Sequence, residues 1–283
     1  MQPINVDKQY HFFNPRAGVS YTLAERNNFY LSFAVAQKEP TRSDFTDRYK
    51  FAADDTYPSS EKLYDWELGY QYTAPRLSLG VNLYYMKYKD QLVPTGMVND
   101  DSNALNTNVP DSYRRGVELS ASWRATGWFT VGANATFSQN RIENYVDALK
   151  DSPTYGKELG DMTIAYSPDV IANAFLNFHH RGFEAVFHTQ HVGKQYFTNN
   201  ENDALSLEAY CVTNVAYTFR TRSARSVRLG LLINNLFNAE YESNGYGYSY
   251  MDTWSGPAPV RIDEAYYFPQ APLNVLANVT VKF

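Results

Sequence analysis

Four aromatic rings at short spacing, Tyr246, Tyr248, Tyr250 and Trp254 in "YESNGYGYSYMDTW" (241–254), are the side chains best suited to gripping a ligand. Rings on alternate residues of a polar segment can stack on planar groups such as catecholates, or on the apolar faces of sugars. The same rings could equally pack their own segment against the body of the protein. A second candidate is "TRSDFTDRYK" (41–50), where Arg42, Arg48 and Lys50 could attract an anionic chelate. Asp44, Asp47, Asp54 and Asp55 lie close by and cancel most of that field, so a solvated mixed-charge segment is the plainer reading.

Other chemistry finds less support. Four of the five histidines cluster, at His179, His180, His188 and His191. Side chains alternate along a strand, so the odd separation of His188 and His191 sends them to opposite faces, and without a bulge they cannot share an ion. No metal site and no resident cofactor are expected. The sequence has no Gly-x-Ser-x-Gly, no His-Glu-x-x-His and no phosphate-binding glycine loop. Asp161, His191 and Ser206 can be pictured near one rim, but nothing in their spacing selects them, and no enzyme is expected. Cys211 is the only cysteine and cannot form an internal disulfide; it reads as a small apolar residue in a strand.

The elements that must position the rings are strands, because the strongest pattern is period two. Leu77, Leu79, Val81, Leu83 and Tyr85 oppose Ser78, Gly80, Asn82 and Tyr84; Phe129, Val131, Ala133, Ala135 and Phe137 oppose Thr130, Gly132, Asn134 and Thr136. The pattern returns in 117–124 and 227–234, more weakly in 17–24, 29–36, 64–73, 170–179, 183–191 and 209–219, and again in "NVLANVTVKF" (274–283). That makes about eleven strands, many near the roughly 9 to 11 residues a tilted strand needs to cross a bilayer.

The connections alternate in length. Short ones, at 24–28, 73–76, 124–128, 180–182 and 220–226, separate long ones at about 38–62, 90–112, 142–168, 197–206 and 242–270. Structureless segments this long are uncommon in compact soluble domains. Strict alternation puts every short turn at one end of an up-and-down meander and every long loop at the other, which is the asymmetry of an outer-membrane barrel. A soluble barrel would hide its apolar face inside, and a propeller would show a repeat of about 40 to 50 residues, which is not found. Tyr21, Tyr30, Tyr64, Trp66, Tyr72, Trp123, Trp128, Tyr217 and Tyr241 fall where strands meet turns or loops, as interface anchors should.

Composition agrees. Aromatics make up 16% of 283 residues, with 24 Tyr and 17 Phe, while mean hydropathy is a polar −0.48. No stretch approaches the 18 or so apolar residues of a membrane helix. A net charge of −5 without basic stripes excludes a nucleic-acid partner. "MQPINVDKQYHFF" has neither the basic nor the apolar region of a signal peptide, so the chain is expected to stay inside the cell or to be mature or incomplete.

Five motifs, in order across nearly the whole chain, carry a resemblance. "NPRAGVSYTL" (14–23) with its rising strand (29–45), "LYDWELGYQY" (63–72), "VPDSYRRGVEL" (109–119), "INNLFNAEY" (233–241) and the terminal Phe283 resemble the C-terminal part of the barrel of TonB-dependent outer-membrane receptors, particularly those of Bacteroides-like bacteria. The resemblance implies an all-β, antiparallel, up-and-down transmembrane β-barrel in the cell outer membrane. About 11 or 12 strands are expected here, with "QYHFF" as the possible twelfth, of a family total of 22, and no plug domain. It implies a receptor and transporter for a scarce nutrient, with a ferric siderophore or similar iron complex first and cobalamin or an oligosaccharide behind.

The resemblance further implies energy delivered by TonB through a plug outside this chain, outer-membrane lipid around the wall, and Phe283 as the assembly signal for the barrel-insertion machinery. Val275, Ala277, Val279 and Val281 would then face lipid, and Asn274, Asn278, Thr280 and Lys282 the lumen. "QKEPT" and "SSEKLYDWE" stand where haem receptors carry their signatures, which disfavours haem. The alternative is a stand-alone twelve-stranded barrel with a structural, adhesive or hydrolytic role.

Overall fold

The period-two segments form one antiparallel wall. The computed structural model describes residues 7–46, 57–99, 103–221 and 227–282. In chain order, β1 (Arg16–Leu23), β2 (Asn27–Lys38), β3 (Glu61–Thr73), β4 (Leu77–Val98), β5 (Ala104–Arg124) and β6 (Phe129–Ile142) pair neighbour to neighbour. A two-residue strand, β7 (Met162–Thr163), leans on β6, and β8 (Val170–His180) and β9 (Phe183–Val192) continue the wall. β10 (Gln195–Tyr196) pairs with β11 (Ser206–Leu207) away from it; β12 (Tyr210–Arg220) and β13 (Val227–Asn234) rejoin it. β14 (Glu242–Asp252) and β15 (Val260–Pro269) form a separate hairpin, and β16 (Asn274–Val281) pairs back onto β13. Helix is confined to α1 (Arg42–Thr46) and a 3₁₀ turn at Asp203–Leu205. No helix among the described residues is long and apolar enough to cross a membrane, which leaves crossing by strands open.

The eleven wall strands are the eleven expected, and the sheet stays open between β1 and β16. Two expectations change. No strand precedes Arg16 among the described residues, so "QYHFF" does not add a twelfth. Two of the long connections are not structureless: most of 90–112 is the continuation of β4 and β5, and most of 242–270 is the β14–β15 hairpin.

Register makes the wall two-faced. One row reads Leu31, Leu68, Leu83, Val117 and Phe137, each directly across from the next; the next row reads Phe29, Tyr70, Val81, Leu119, Ala135 and Ala172. On the opposite face the rows are polar, as in Gln71, Gly80, Ser120, Asn134 and Asn173. The final pair extends both faces, with Leu229, Leu231 and Ile233 across from Val279, Ala277 and Val275, and Arg228 and Gly230 across from Thr280 and Asn278. The apolar face is the exposed one: Val19, Leu31, Leu68, Leu83, Leu119 and Val279 are all open. A water-soluble sheet would bury such a face, and its bareness here is the pattern of a transmembrane barrel wall.

His188 and His191 do project to opposite faces, pairing with Asn214 and Cys211 respectively. Tyr30 departs from the expected interface belt. It lies on the polar face with its ring over Gly69, which leaves no room there for a Cβ.

Candidate functional site

At the long-loop end the connections fuse into a cap. Val93 and Val109, on the tops of β4 and β5, pack with Ile142 at the end of β6 and with Tyr145 and Ile164 from the β6–β8 connection. A second cluster, Phe197, Leu205 and Leu207, receives Ala265 of β15. Asn199, fully buried, ties three segments together: its Nδ2 donates to Pro94 O at 2.6 Å and its Oδ1 accepts from Ala165 N at 2.7 Å. Glu201 accepts from Thr163 N at 3.0 Å and from Arg141 Nη1. Burial opposes its charge, but the Thr163 hydrogen bonds and the Arg141 guanidinium outweigh that and hold the carboxyl below its ordinary value.

The hairpin β14–β15 is rooted in the "INNLFNAEY" segment. Asn235, buried at 2% exposure, brackets both legs: its Oδ1 accepts from Ala239 N at 2.8 Å, while its Nδ2 donates to Ala239 O at 2.8 Å and Ala271 O at 3.3 Å. Asn238 Oδ1 accepts from Leu273 N at 2.8 Å. The motif is therefore a staple at the point where the chain leaves and rejoins the wall.

Alternation gives the hairpin two unlike faces. Gly245, Gly247 and Ser249, opposite Tyr267, Ala265 and Asp263, turn toward the Phe197 cluster. Glycine is required there, since a Cβ on Gly247 would stand 2.9 Å from the Phe197 ring, from Leu205 Cδ2 and from Glu264 O. The other face carries Tyr246, Tyr248 and Tyr250 beside Tyr266 and Glu264. Tyr246 stacks on Tyr266 with centroids 4.9 Å apart. Three hydroxyls converge on one carboxylate: Tyr248 donates to Glu264 Oε2 at 2.7 Å, Tyr266 to the same atom at 2.8 Å and Tyr250 to Oε1 at 3.2 Å. The product is a fixed aromatic surface with a single negative charge among its hydroxyls, suited to stacking and to accepting one further donor.

Glu264 carries the pH dependence of this cluster. The hydroxyls of Tyr248 and Tyr266 hold its carboxyl below the ordinary carboxylate range, and their own ionisation is pushed up in return. A value lowered on folding contributes stability that is present above the ordinary one, about 4.3, and is lost as pH falls through the lowered one. The rings are expected to hold their arrangement at neutral pH and to loosen as pH falls below the ordinary carboxylate range. A fluorotyrosine placed at position 248 would report that transition as a resonance shift, and Glu264→Gln should remove it. A variant that titrates like the parent would contradict the assignment.

The candidate residues thus divide. Tyr246, Tyr248 and Tyr250 come together on β14, whereas Trp254 stands beyond the end of that strand, 94% exposed, its amide held by Asp252. Arg42 is exposed on another element, α1, which rests on β5. Arg48 and Lys50, like Asp47, Asp54, Asp55 and Phe283, lie outside the described residues. Asp44 is not the solvated charge expected. It is buried at 5% exposure, accepting from Thr41 N and Thr41 Oγ1 at 2.7 Å and from Asn106 Nδ2 at 2.9 Å. Burial works against its charge, but those hydrogen bonds prevail and its carboxyl lies below the usual value. Glu264 and Tyr266 were not anticipated, although Asp263, Ala265 and Tyr267 alternate with Glu264, Tyr266 and Phe268 in the sequence.

Comparison with known proteins gives a family. The family model described as TonB dependent receptor-like, beta-barrel matches residues 3–236. Among solved structures, the chain is similar to the ferric yersiniabactin uptake receptor FyuA from Yersinia pestis (18% identity, TM-score 0.61), covering 95% of this chain and 37% of that one. The ferric-catecholate import receptor Fiu from K12 E. coli, in its closed form, gives 18% identity, coverage of 94% and 34%, and a TM-score of 0.64. The copper transporter OprC gives 17%, coverage of 93% and 38%, and 0.67. The chain therefore spans less than two-fifths of the length of each. No curated protein sequence matches it. With the family match running from the first strand to the end of β13, and a wall apolar on one face and polar on the other, the chain belongs to the TonB-dependent receptor-like β-barrel family.

Proposed function

We propose that the chain is an arc of the barrel of an outer-membrane nutrient receptor, and that its β14–β15 hairpin captures a ferric siderophore or similar iron complex. One observation carries the reading. Four tyrosine rings and a shared carboxylate stand on a hairpin docked at the long-loop end of the wall. Aromatic faces in a fixed array match the planar catecholate or phenolate rims of iron chelates. Two of the similar structures are, by name, a ferric yersiniabactin uptake receptor and a ferric-catecholate import receptor, and the family is one of outer-membrane barrels. In the intact receptor, a plug and TonB would energise uptake, lipid would cover the apolar face, and Phe283 would present the aromatic end to the assembly machinery. The chain's own role is binding and walling, without catalysis.

Deleting the gene and measuring uptake of labelled ferric catecholate, ferric hydroxamate, cobalamin and oligosaccharide tests the reading. Loss of an iron chelate alone is expected. Loss of cobalamin or oligosaccharide uptake instead would overturn the cargo, and no loss at all would overturn the receptor. Replacing Tyr246 and Tyr266 together by Ala should weaken chelate binding by roughly tenfold or more, while the barrel's heat-modified migration on gels stays unchanged.

A further inference from the structure

The rings of the β14–β15 hairpin form one row. Phe268, Tyr246, Tyr266, Tyr248 and Tyr250 follow one another with centroids 6.2, 4.9, 6.4 and 6.4 Å apart. Tyr246, Tyr250, Tyr266 and Phe268 are all exposed, so the row is a surface and not a core. Register puts Glu264 and Asp252 on the same side as the rings. The hairpin's base, Arg261, stands on the other side, where it is committed to Asp263 at 2.8 Å. The ring face therefore carries carboxylates and no base of the hairpin's own.

The direction of the hydrogen bonds adds to the charge. The hydroxyl protons of Tyr248, Tyr250 and Tyr266 are all given to Glu264. What these four groups still offer a ligand is lone pairs, since a hydroxyl has a single proton and a carboxylate none. An anionic oxygen brought against them would meet acceptors and like charge. A neutral planar ligand would use the rings and leave the carboxylate idle. A group with protons to give and a positive charge is matched twice, because the faces of tyrosine rings also attract cations. Donation to a carboxylate polarises each phenol and leaves its ring richer in electrons, which strengthens that attraction.

We infer that this face is an ammonium seat, and that the iron complex it takes carries a protonated amine whose N–H groups meet Glu264 while its charge lies over Tyr248 and Tyr266. The inference deepens the iron-chelate reading and rests on it. It narrows the cargo to chelates with a cationic arm. Fully anionic tricatecholates stack well on rings but bring the wrong charge to this face.

The intact receptor, purified in detergent, is titrated with three ferric complexes: a linear trihydroxamate ending in a primary amine, the same chelate acetylated at that amine, and a tricatecholate. At neutral pH the amine complex should bind about tenfold more tightly than its acetylated twin, and more tightly than the tricatecholate. Raising the salt concentration should shrink that preference. Glu264→Gln should abolish it, while Glu158→Gln, on the connection between β6 and β8, should keep it. Should the Glu264 variant fail to fold, the twin complexes on the parent protein and their salt dependence still decide. Equal affinity for the twins, tightest binding of the tricatecholate, an unchanged preference in Glu264→Gln or its loss in Glu158→Gln would overturn the inference and leave a chelate receptor in place. If none of the three complexes binds, the iron-chelate reading itself falls, and the seat with it.

Discussion

Leu119→Arg is expected to destabilise the wall by about 2–4 kcal/mol, the cost of a cation near the middle of the lipid-facing surface. Leu119 stands open on the apolar face, midway between Tyr85 and the turn at Leu77, with Val81 and Ala135 directly across. Thr136→Lys supplies the contrast. Thr136 is a near neighbour on β6 but faces the other way, directly across from Glu118. A lysine there gains a carboxylate partner in a polar setting, and its effect should stay within about 0.5 kcal/mol. Urea unfolding of the receptor in lipid vesicles compares the two. Equal costs would mean that the apolar face does not meet lipid.

Gly247→Val should remove chelate binding almost completely, by roughly a hundredfold, while leaving the wall's unfolding transition in place. The added carbons would collide with Phe197 and Leu205, exposed by 2% and 0%, and with the backbone of the partner strand. No neighbour is a flexible tip that can swing aside, so the hairpin must lift from its seat. Tyr246 and Tyr266 then lose their fixed relation to the wall, although both remain in the chain. Limited proteolysis should cut the lifted hairpin. Adding Phe197→Ala, which opens the seat, should restore part of the affinity; a double variant as weak as the single one would show that the seat is not what positions the rings.

The wall was legible because one apolar face and one polar face enforce alternation, and Leu79/Gly80/Val81 or Ala133/Asn134/Ala135 display it plainly. Beyond the apolar run that demand ends. β4 and β5 run on as a ladder from Lys87 and Tyr113 to Val98 and Ala104 with Pro94 and Gly96 among their residues, so the signal stopped where the apolar run did and the rest read as loop. The tyrosine hairpin failed to register as strand for a related reason. Its alternation is of rings with glycine and serine, because one face seats on Phe197 and the other serves the site. The rings themselves were visible. Glu264 was not, because its importance comes from three hydroxyls that register brings to it from Tyr248, Tyr250 and Tyr266. Asp44 was misjudged for the same cause, since nothing local announces that Asn106, far along the chain, closes over it.

Among the described residues, every seam of the wall but one joins strands with nothing longer than two-residue strands or one-turn helices between them, so the sheet can grow by adding each strand to the last, at small cost in loop closure. The exception is β13 with β16, whose partners are separated by the whole tyrosine hairpin. That seam closes a longer loop, and pairing of β14 with β15, together with the Asn235 and Asn238 hydrogen bonds to Ala271 and Leu273 at the point of departure, shortens it. The tyrosine hairpin is thus expected to act as a clock for the wall, and a slow hairpin would delay the last strand rather than weaken the finished sheet.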